Sequence, residues 1–280
     1  MNSRRASVGL WIGAFIVTVF LAVFQRMTGP SYPISGSASL STGETISYSL
    51  PRSNEGRKEL RITIPAVPGA SRATLEWRRF PTDEPFEKLA MPLTAEGVFE
   101  VRIPEQPAAG KVEYRVLYES TEQVVSIPAE EAVVARYRDD VPATVLIPHI
   151  LAMFLSMLVS TRALFEVLRP GAPRARLLVL ISMALLVVGG LILGPIVQRF
   201  AFGAYWTGWP FGHDLTDNKT LIAFIAWLPA TVLAWRKART RIAVALGWVV
   251  MMGIFLIPHS ARGSQLDWST VEEGAGTTSR

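Results

Sequence analysis

His149, His213 and His259 are the only histidines in a chain that has no cysteine. A neutral imidazole can ligate a metal ion or a haem iron. Without thiolates, any bound metal must use His, Asp, Glu, Met or backbone oxygen. Two of the histidines share a local pattern, Ile147-Pro148-His149 and Ile257-Pro258-His259. In each, the proline fixes the backbone just ahead of the imidazole. The third, His213, lies in the stretch 198–219, QRFAFGAYWTGWPFGHDLTDNK, with Tyr205, Trp206, Trp209, Asp214 and Asp217. His213, Asp214 and Asp217 are divalent-metal donor types. Tyr205, Trp206 and Trp209 offer flat faces for a porphyrin, a quinone head or a lipid group. Arg199 and Lys219 flank the stretch and are suited to pair with carboxylates of a ligand. Plainer roles fit the same residues. Trp and Tyr anchor proteins at a membrane interface, and Asp or Thr caps a following helix. No nucleophile–base pair or phosphate loop accompanies them, so binding is expected before turnover, and enzymatic activity is left open with a lean against it.

The elements that must position these residues are mostly apolar. Of 280 residues, 50% are hydrophobic and 18% charged, and the apolar residues are clustered. That composition predicts an integral membrane protein with one soluble portion. Apolar runs occupy 6–24, 145–159, 177–197, 221–235 and 242–257. With flanking residues, each approaches the roughly 17–25 residues that span a bilayer. Run 6–24 exceeds the ~7–15 residues of a signal-peptide core and ends in Gln25-Arg26-Met27, so a retained helix is expected over cleavage. Gly190 and Gly194 are spaced for close helix packing, and Pro229 is placed to kink the fourth helix.

The formal net charge of +5 does not point to nucleic acid, because the basic residues flank apolar runs. Arg162, Arg169, Arg174 and Arg176 fill one connection, and Arg236, Lys237, Arg239 and Arg241 fill another. The positive-inside rule makes both connections cytoplasmic, with the N-terminus inside. The 198–219 loop, the segment between helices one and two, and the C-terminal tail are then outside. All three histidines fall at that outer interface.

The exported segment, 28–140, reads as about seven short strands. Lys111 to Tyr118 alternates most clearly, with Val112, Tyr114, Val116 and Tyr118 on one face. Turn signals such as Ser53-Asn54-Glu55-Gly56 and Pro107-Ala108-Ala109-Gly110 separate the strands. This predicts an all-β sandwich. The run from Ile103-Pro104 to Glu113-Tyr114 resembles the final hairpin of exported immunoglobulin-like or fibronectin type III-like domains, which implies a spacer or docking module.

A second resemblance concerns the loop. Gly203-Ala204-Tyr205-Trp206-x-x-Trp209-Pro210, with the following Leu221-Ile222-Ala223-Phe224-Ile225-Ala226-Trp227-Leu228, resembles the tryptophan-rich loop of haem-handling membrane proteins of cytochrome c assembly. It covers about 30 residues plus two histidines. The resemblance implies that Trp206 and Trp209 stack a haem and that His149 and His259 ligate its iron. The chain departs from that pattern: Gly208 is extra, no Asp directly follows Trp209, Phe211-Gly212-His213-Asp214 replaces a charged segment, and the β insertion is foreign to it.

The expected protein is an α-helical integral membrane protein of five transmembrane helices with an inserted all-β extracytoplasmic domain. Residues 1–27 form the anchor, 28–140 the β-sandwich, 141–262 a four-helix transmembrane domain, and 263–280 a disordered outer tail. Trp268 in that tail is a further interfacial anchor candidate. The expected location is the bacterial cytoplasmic membrane. The leading functional expectation is binding or handling of haem or a divalent metal through His149, His213, His259, Asp214 and Asp217. The alternatives are a non-catalytic scaffold subunit docking a protein partner through the β-domain, and a quinol-interacting redox subunit.

Overall fold

In the computed structural model the described residues are 3–68, 70–120, 123–257 and 266–269, with side chains described from Ala6 onward. The chain divides into two compact units, Met1–Gly29 with Val141–Gly263, and Pro30–Asp140 with Ser264–Arg280.

The described residues of the second unit form ten strands. They are β1 (Ile34–Ser39), β2 (Thr45–Leu50), β3 (Ser53–Glu55), β4 (Leu60–Pro65), β5 (Ala70–Phe80), β6 (Glu87–Met91), β7 (Val98–Ile103), β8 (Lys111–Ser120), β9 (Val124–Ile127) and β10 (Val133–Arg138). β1 pairs with β2 and β4 with β7, both antiparallel. The largest sheet runs β3-β10-β8-β5-β6, and β9 also pairs with β8. Among the described residues, its edge pair β3–β10 is parallel and its other pairs are antiparallel. Strand alternation puts Val112, Tyr114, Val116 and Tyr118 of β8 inward, all fully buried, as the period of two predicts. They share one core with Ile46 and Leu50 of β2, Ile62 and Ile64 of β4 and Ile103 of β7. The buried tyrosines donate to carbonyls: Tyr114 to Pro51 at 2.7 Å, Tyr118 to Pro65 at 3.2 Å and Tyr137 to Pro104 at 3.1 Å. Those bonds offset the cost of burying a hydroxyl. The expectation of about seven strands falls short because strands of three to five residues, such as β3, β6 and β9, are too brief to show a period.

The first unit is helical: α1 (Ser3–Thr28), α2 (Ala143–Val167), α3 (Ala175–Leu186), a π-helical segment (Val187–Leu193), α4 (Gly194–Phe202), α5 (Leu215–Trp235) and α6 (Arg241–Leu256). α3, the π segment and α4 run on as one rod. Among the described residues, four helices are long and apolar enough to cross a membrane: Ala6–Thr28, Ala143–Val167, Ala175–Phe202 and Leu215–Trp235. The fifth expected span is the exception. α6 has 16 residues. At about 1.5 Å per residue it is about 24 Å long, short of a hydrocarbon core of about 30 Å. It stops because Ile257 is extended, with ψ 121°, the backbone preferred by a residue before proline. Pro258 follows it.

Glycines let the rods approach. A Cβ on Gly189 would lie 2.9 Å from the Ala152 Cβ, and one on Gly190 would lie 2.6 Å from the Thr220 Cγ2. The close contacts are thus made by adjacent glycines facing α2 and α5. At Gly194, the other glycine of the expected pair, an added Cβ would find only ordinary contact distances.

Candidate functional site

The end of α4, the loop 203–214 and the start of α5 form one hydrogen-bonded knot. Gly203 takes φ +84° and closes α4 by donating its N–H to the Arg199 carbonyl at 3.0 Å. Asp214 is the N-cap of α5, its Oδ1 accepting the Thr216 N–H at 2.7 Å. Asp217 reaches back across the loop. Its Oδ2 accepts the N–H groups of Thr207 at 2.6 Å and Gly208 at 3.0 Å. Asn218 Oδ1 accepts the Trp209 N–H at 2.7 Å. Gln198 Nε2 donates to the Thr207 hydroxyl at 2.7 Å. Gly208 has to be glycine here, since a Cβ would lie 2.6 Å from that of Asp217.

This bonding decides what the acidic residues do. Asp214 and Asp217 are 8% and 5% exposed and are taken up by loop backbone and the Thr207 side chain. His213 is exposed on the same loop. Among the described residues, no three His, Cys, Asp or Glu side chains gather in a way that could hold a metal ion. His259 lies outside the described residues. The flanking cations also have local partners. Lys219 is buried and donates to the Ile257 carbonyl at 2.7 Å, tying α5 to the end of α6. Arg199 donates to the Gly203 carbonyl at 2.8 Å and lies 5.9 Å from the centre of the Tyr205 ring.

The aromatic residues face the other way. Tyr205, Trp209 and Phe211 are 60%, 67% and 82% exposed. Trp206 is half-buried and donates its Nε1–H to the Trp209 carbonyl at 3.0 Å. The loop therefore holds a fixed backbone over its carboxylates and presents three unburied aromatic side chains. Phe211, the most exposed, was absent from the candidate set because sequence alone does not distinguish it from a core phenylalanine.

His149 sits in the first turns of α2. Its Nδ1 lies 2.9 Å from the Gly189 carbonyl in the π segment. A carbonyl only accepts, so Nδ1 carries a proton, and in the neutral imidazole the lone pair is then on Nε2. The same carbonyl accepts the Gly194 N–H, an i to i+5 bond. Pro195 follows, with no N–H to continue the ladder. The π segment and the histidine contact are thus coupled through one carbonyl.

A second polar centre lies near the other end of the helical unit. Arg162, expected in a basic connection, is inside α2, because the helix continues to Val167. Its guanidinium pairs with Glu166 at 2.7 Å, and the two side chains are 1% and 0% exposed. Trp11 of α1 lies with its ring centre 5.6 Å away. Glu166 also accepts the Arg174 N–H at 3.2 Å. Among the described residues, Arg162 Nε and Nη1 find no hydrogen-bond partner. The i, i+4 spacing of Arg162 and Glu166 was the available sequence signal.

Fold and site together define a class: a helical unit of membrane-spanning proportions joined to a mostly antiparallel β unit, with a clasped aromatic loop between two helices. No protein-family model matches the chain, and no curated protein matches it.

Proposed function

We propose that this chain is a non-catalytic membrane subunit that docks a protein partner. In this reading the helices span the bacterial cytoplasmic membrane, the β unit is extracytoplasmic and immunoglobulin- or fibronectin type III-like, and the aromatic loop sits at the outer interface. One observation carries it. The carboxylates of the loop serve its own backbone, while Tyr205, Trp209 and Phe211 project unburied. Such a loop keeps its shape and offers apolar area to lipid or protein. The basic residues support the orientation: Arg169, Arg174, Arg176, Arg236, Lys237, Arg239 and Arg241 cluster around the α2–α3 and α5–α6 connections, away from the loop. The test is purification from native membranes in mild detergent, with cross-linking. A stoichiometric partner is expected, cross-linked through the β unit and reduced when Tyr205, Trp209 and Phe211 are all replaced by serine. A chain that purifies alone, with or without those substitutions, defeats the reading.

The alternative, haem handling, is favoured by the His149 geometry. An imidazole oriented through Nδ1 with a free Nε2 is the arrangement of an axial ligand. Trp206 and Trp209 would stack the ring, His259 would be the second ligand, and Arg199 or Lys219 would have to leave their carbonyls to reach its carboxylates. Haem titration of the purified protein tests this. A Soret band that disappears in His149→Ala is the expected result, and a spectrum unchanged by that substitution removes the assignment.

A further inference from the structure

After the last helix the chain returns to the β unit. The Leu266 N–H donates to the Ala109 carbonyl at 3.2 Å. Asp267 Oδ1 accepts the Ser269 N–H at 3.1 Å and its hydroxyl at 2.7 Å, closing a turn. Trp268 is inserted between them and is 7% exposed. Its Nε1–H donates to the Phe80 carbonyl at 3.1 Å. The Arg79 guanidinium lies 5.2 Å from its ring centre, within range of a cation–π attraction. The ring edge approaches Gly110 so closely that a Cβ there would lie 3.2 Å from it. Trp268 is therefore not an interfacial anchor, and the tail expected to be disordered has an ordered footing at residues 266–269.

The receptor for this tryptophan is built by the β unit itself. Phe80 ends β5, and Ala109 and Gly110 form the turn that enters β8. Ala109 holds a left-handed backbone, φ 66°, fixed by its N–H to the Tyr137 carbonyl at 3.0 Å. Arg79 is held by an ion pair with Glu84. Two outward carbonyls, a clamped arginine and a glycine floor recognise an indole with its N–H and one backbone donor. They make no demand on the rest of the segment. A buried Trp set in a pocket is also the commonest kind of interface anchor.

Resting on the docking reading above, we propose that this pocket is the partner-docking site of the β unit. It takes a protein segment that carries a tryptophan two residues after a free backbone N–H, and the chain's own residues 266–269 occupy it as a built-in competitor. A tethered segment competes at an effective concentration of about millimolar. A free peptide that binds with a Kd of about 0.1 mM would then be weakened about tenfold by it.

The test uses the full chain in detergent and a fluorescent peptide with the sequence of residues 264–270, followed by anisotropy. Trp268→Ala is expected to bind the peptide at least ~5-fold more tightly than the wild type, and a chain ending at residue 263 should behave the same. The peptide with alanine in place of its tryptophan should bind neither. Adding Arg79→Ala to Trp268→Ala should weaken peptide binding several-fold. Equal binding to wild type and Trp268→Ala, or none to both Trp268→Ala and the shortened chain, overturns the proposal. If a copurifying partner stays equally bound when Arg79→Ala is present, the docking reading stands and this pocket is excluded as its site. If no partner copurifies, the docking reading fails while the peptide result still decides what the pocket recognises.

Discussion

Two acidic centres in the helical unit are both buried and are solved in opposite ways. Asp217 faces backbone N–H groups of its own loop, and each contact replaces a water that the loop lost on folding. Glu166 faces a buried guanidinium, with two of the arginine's nitrogens left without a bond. A carboxylate that accepts from backbone fixes a local shape at modest cost. A buried ion pair carries the desolvation of both charges, and geometry alone does not repay it. The contrast assigns a structural clasp to the loop and a costly, fully buried ion pair to α2 beside Trp11 of α1. It also argues that the loop's exposed aromatics, not its acids, are the part left for a ligand or partner.

The largest effect is expected at the ion pair. Glu166→Ala leaves Arg162 charged and uncompensated, at a cost of about 3–5 kcal/mol, and should be read as loss of monodisperse protein in detergent. The double change Arg162→Met with Glu166→Met should recover most of that loss. If it does not, the pair contributes more than shape. Next comes the clasp. Asp217→Ala strands the Thr207 and Gly208 N–H groups at about 1–3 kcal/mol each. Its signature is rapid limited proteolysis within 203–214 with the β unit intact. Asp214→Ala removes only a cap, about 1 kcal/mol, and should give the same cleavage pattern more slowly.

Acid should act on the β unit by a different route. Burial pushes the Glu76 carboxyl up, but Arg115 at 2.7 Å and Lys88 at 3.1 Å outweigh it and hold the group below the usual range. Glu84, held by Arg79, is lowered as well. A depressed folded value gives stability that is complete above the unfolded carboxylate pKa, about 4.3, and is lost as pH falls through the lower folded value. Thermal melts should therefore be flat from neutral pH to about 5 and fall below about 4. Glu76→Gln should lower the neutral plateau and flatten the acid fall. The smallest effect on stability belongs to the exposed aromatics. Replacing Tyr205, Trp209 and Phe211 by serine should shift stability by no more than about 0.5 kcal/mol each while reducing partner recovery. A large loss of stability would mean that these side chains pack somewhere and would dissolve the contrast.

The inward face of β8 was legible because Val112, Tyr114, Val116 and Tyr118 obey a period of two over one long strand. The long apolar rods were legible because a bilayer demands length and apolarity together. α6 was overcounted because composition does not show where a helix starts and stops. Arg162 was misplaced for the same reason, since α2 continues past it. At the loop, Asp214 as an N-cap was readable from its place before a helix. Asp217 was not, because its partners Thr207 and Gly208 are ten and nine residues away across a turn.

By itself the sequence determined the two-part architecture, the alternating strands, the apolar helices and the chemistry gathered in 198–219. These follow from local periodicity and from the bulk preference of side chains for lipid or water. Only the tertiary structure decided which acids are spent on backbone, that Arg162 and Glu166 are buried together, that His149 is oriented by a π-helical carbonyl, and that Trp268 is seated in the β unit. Apart from the i, i+4 pair, which meets within α2 and owes only its burial to packing, each of those depends on groups distant in the chain meeting within hydrogen-bond range. Such meetings are fixed by how the elements pack, and residue order alone does not encode them.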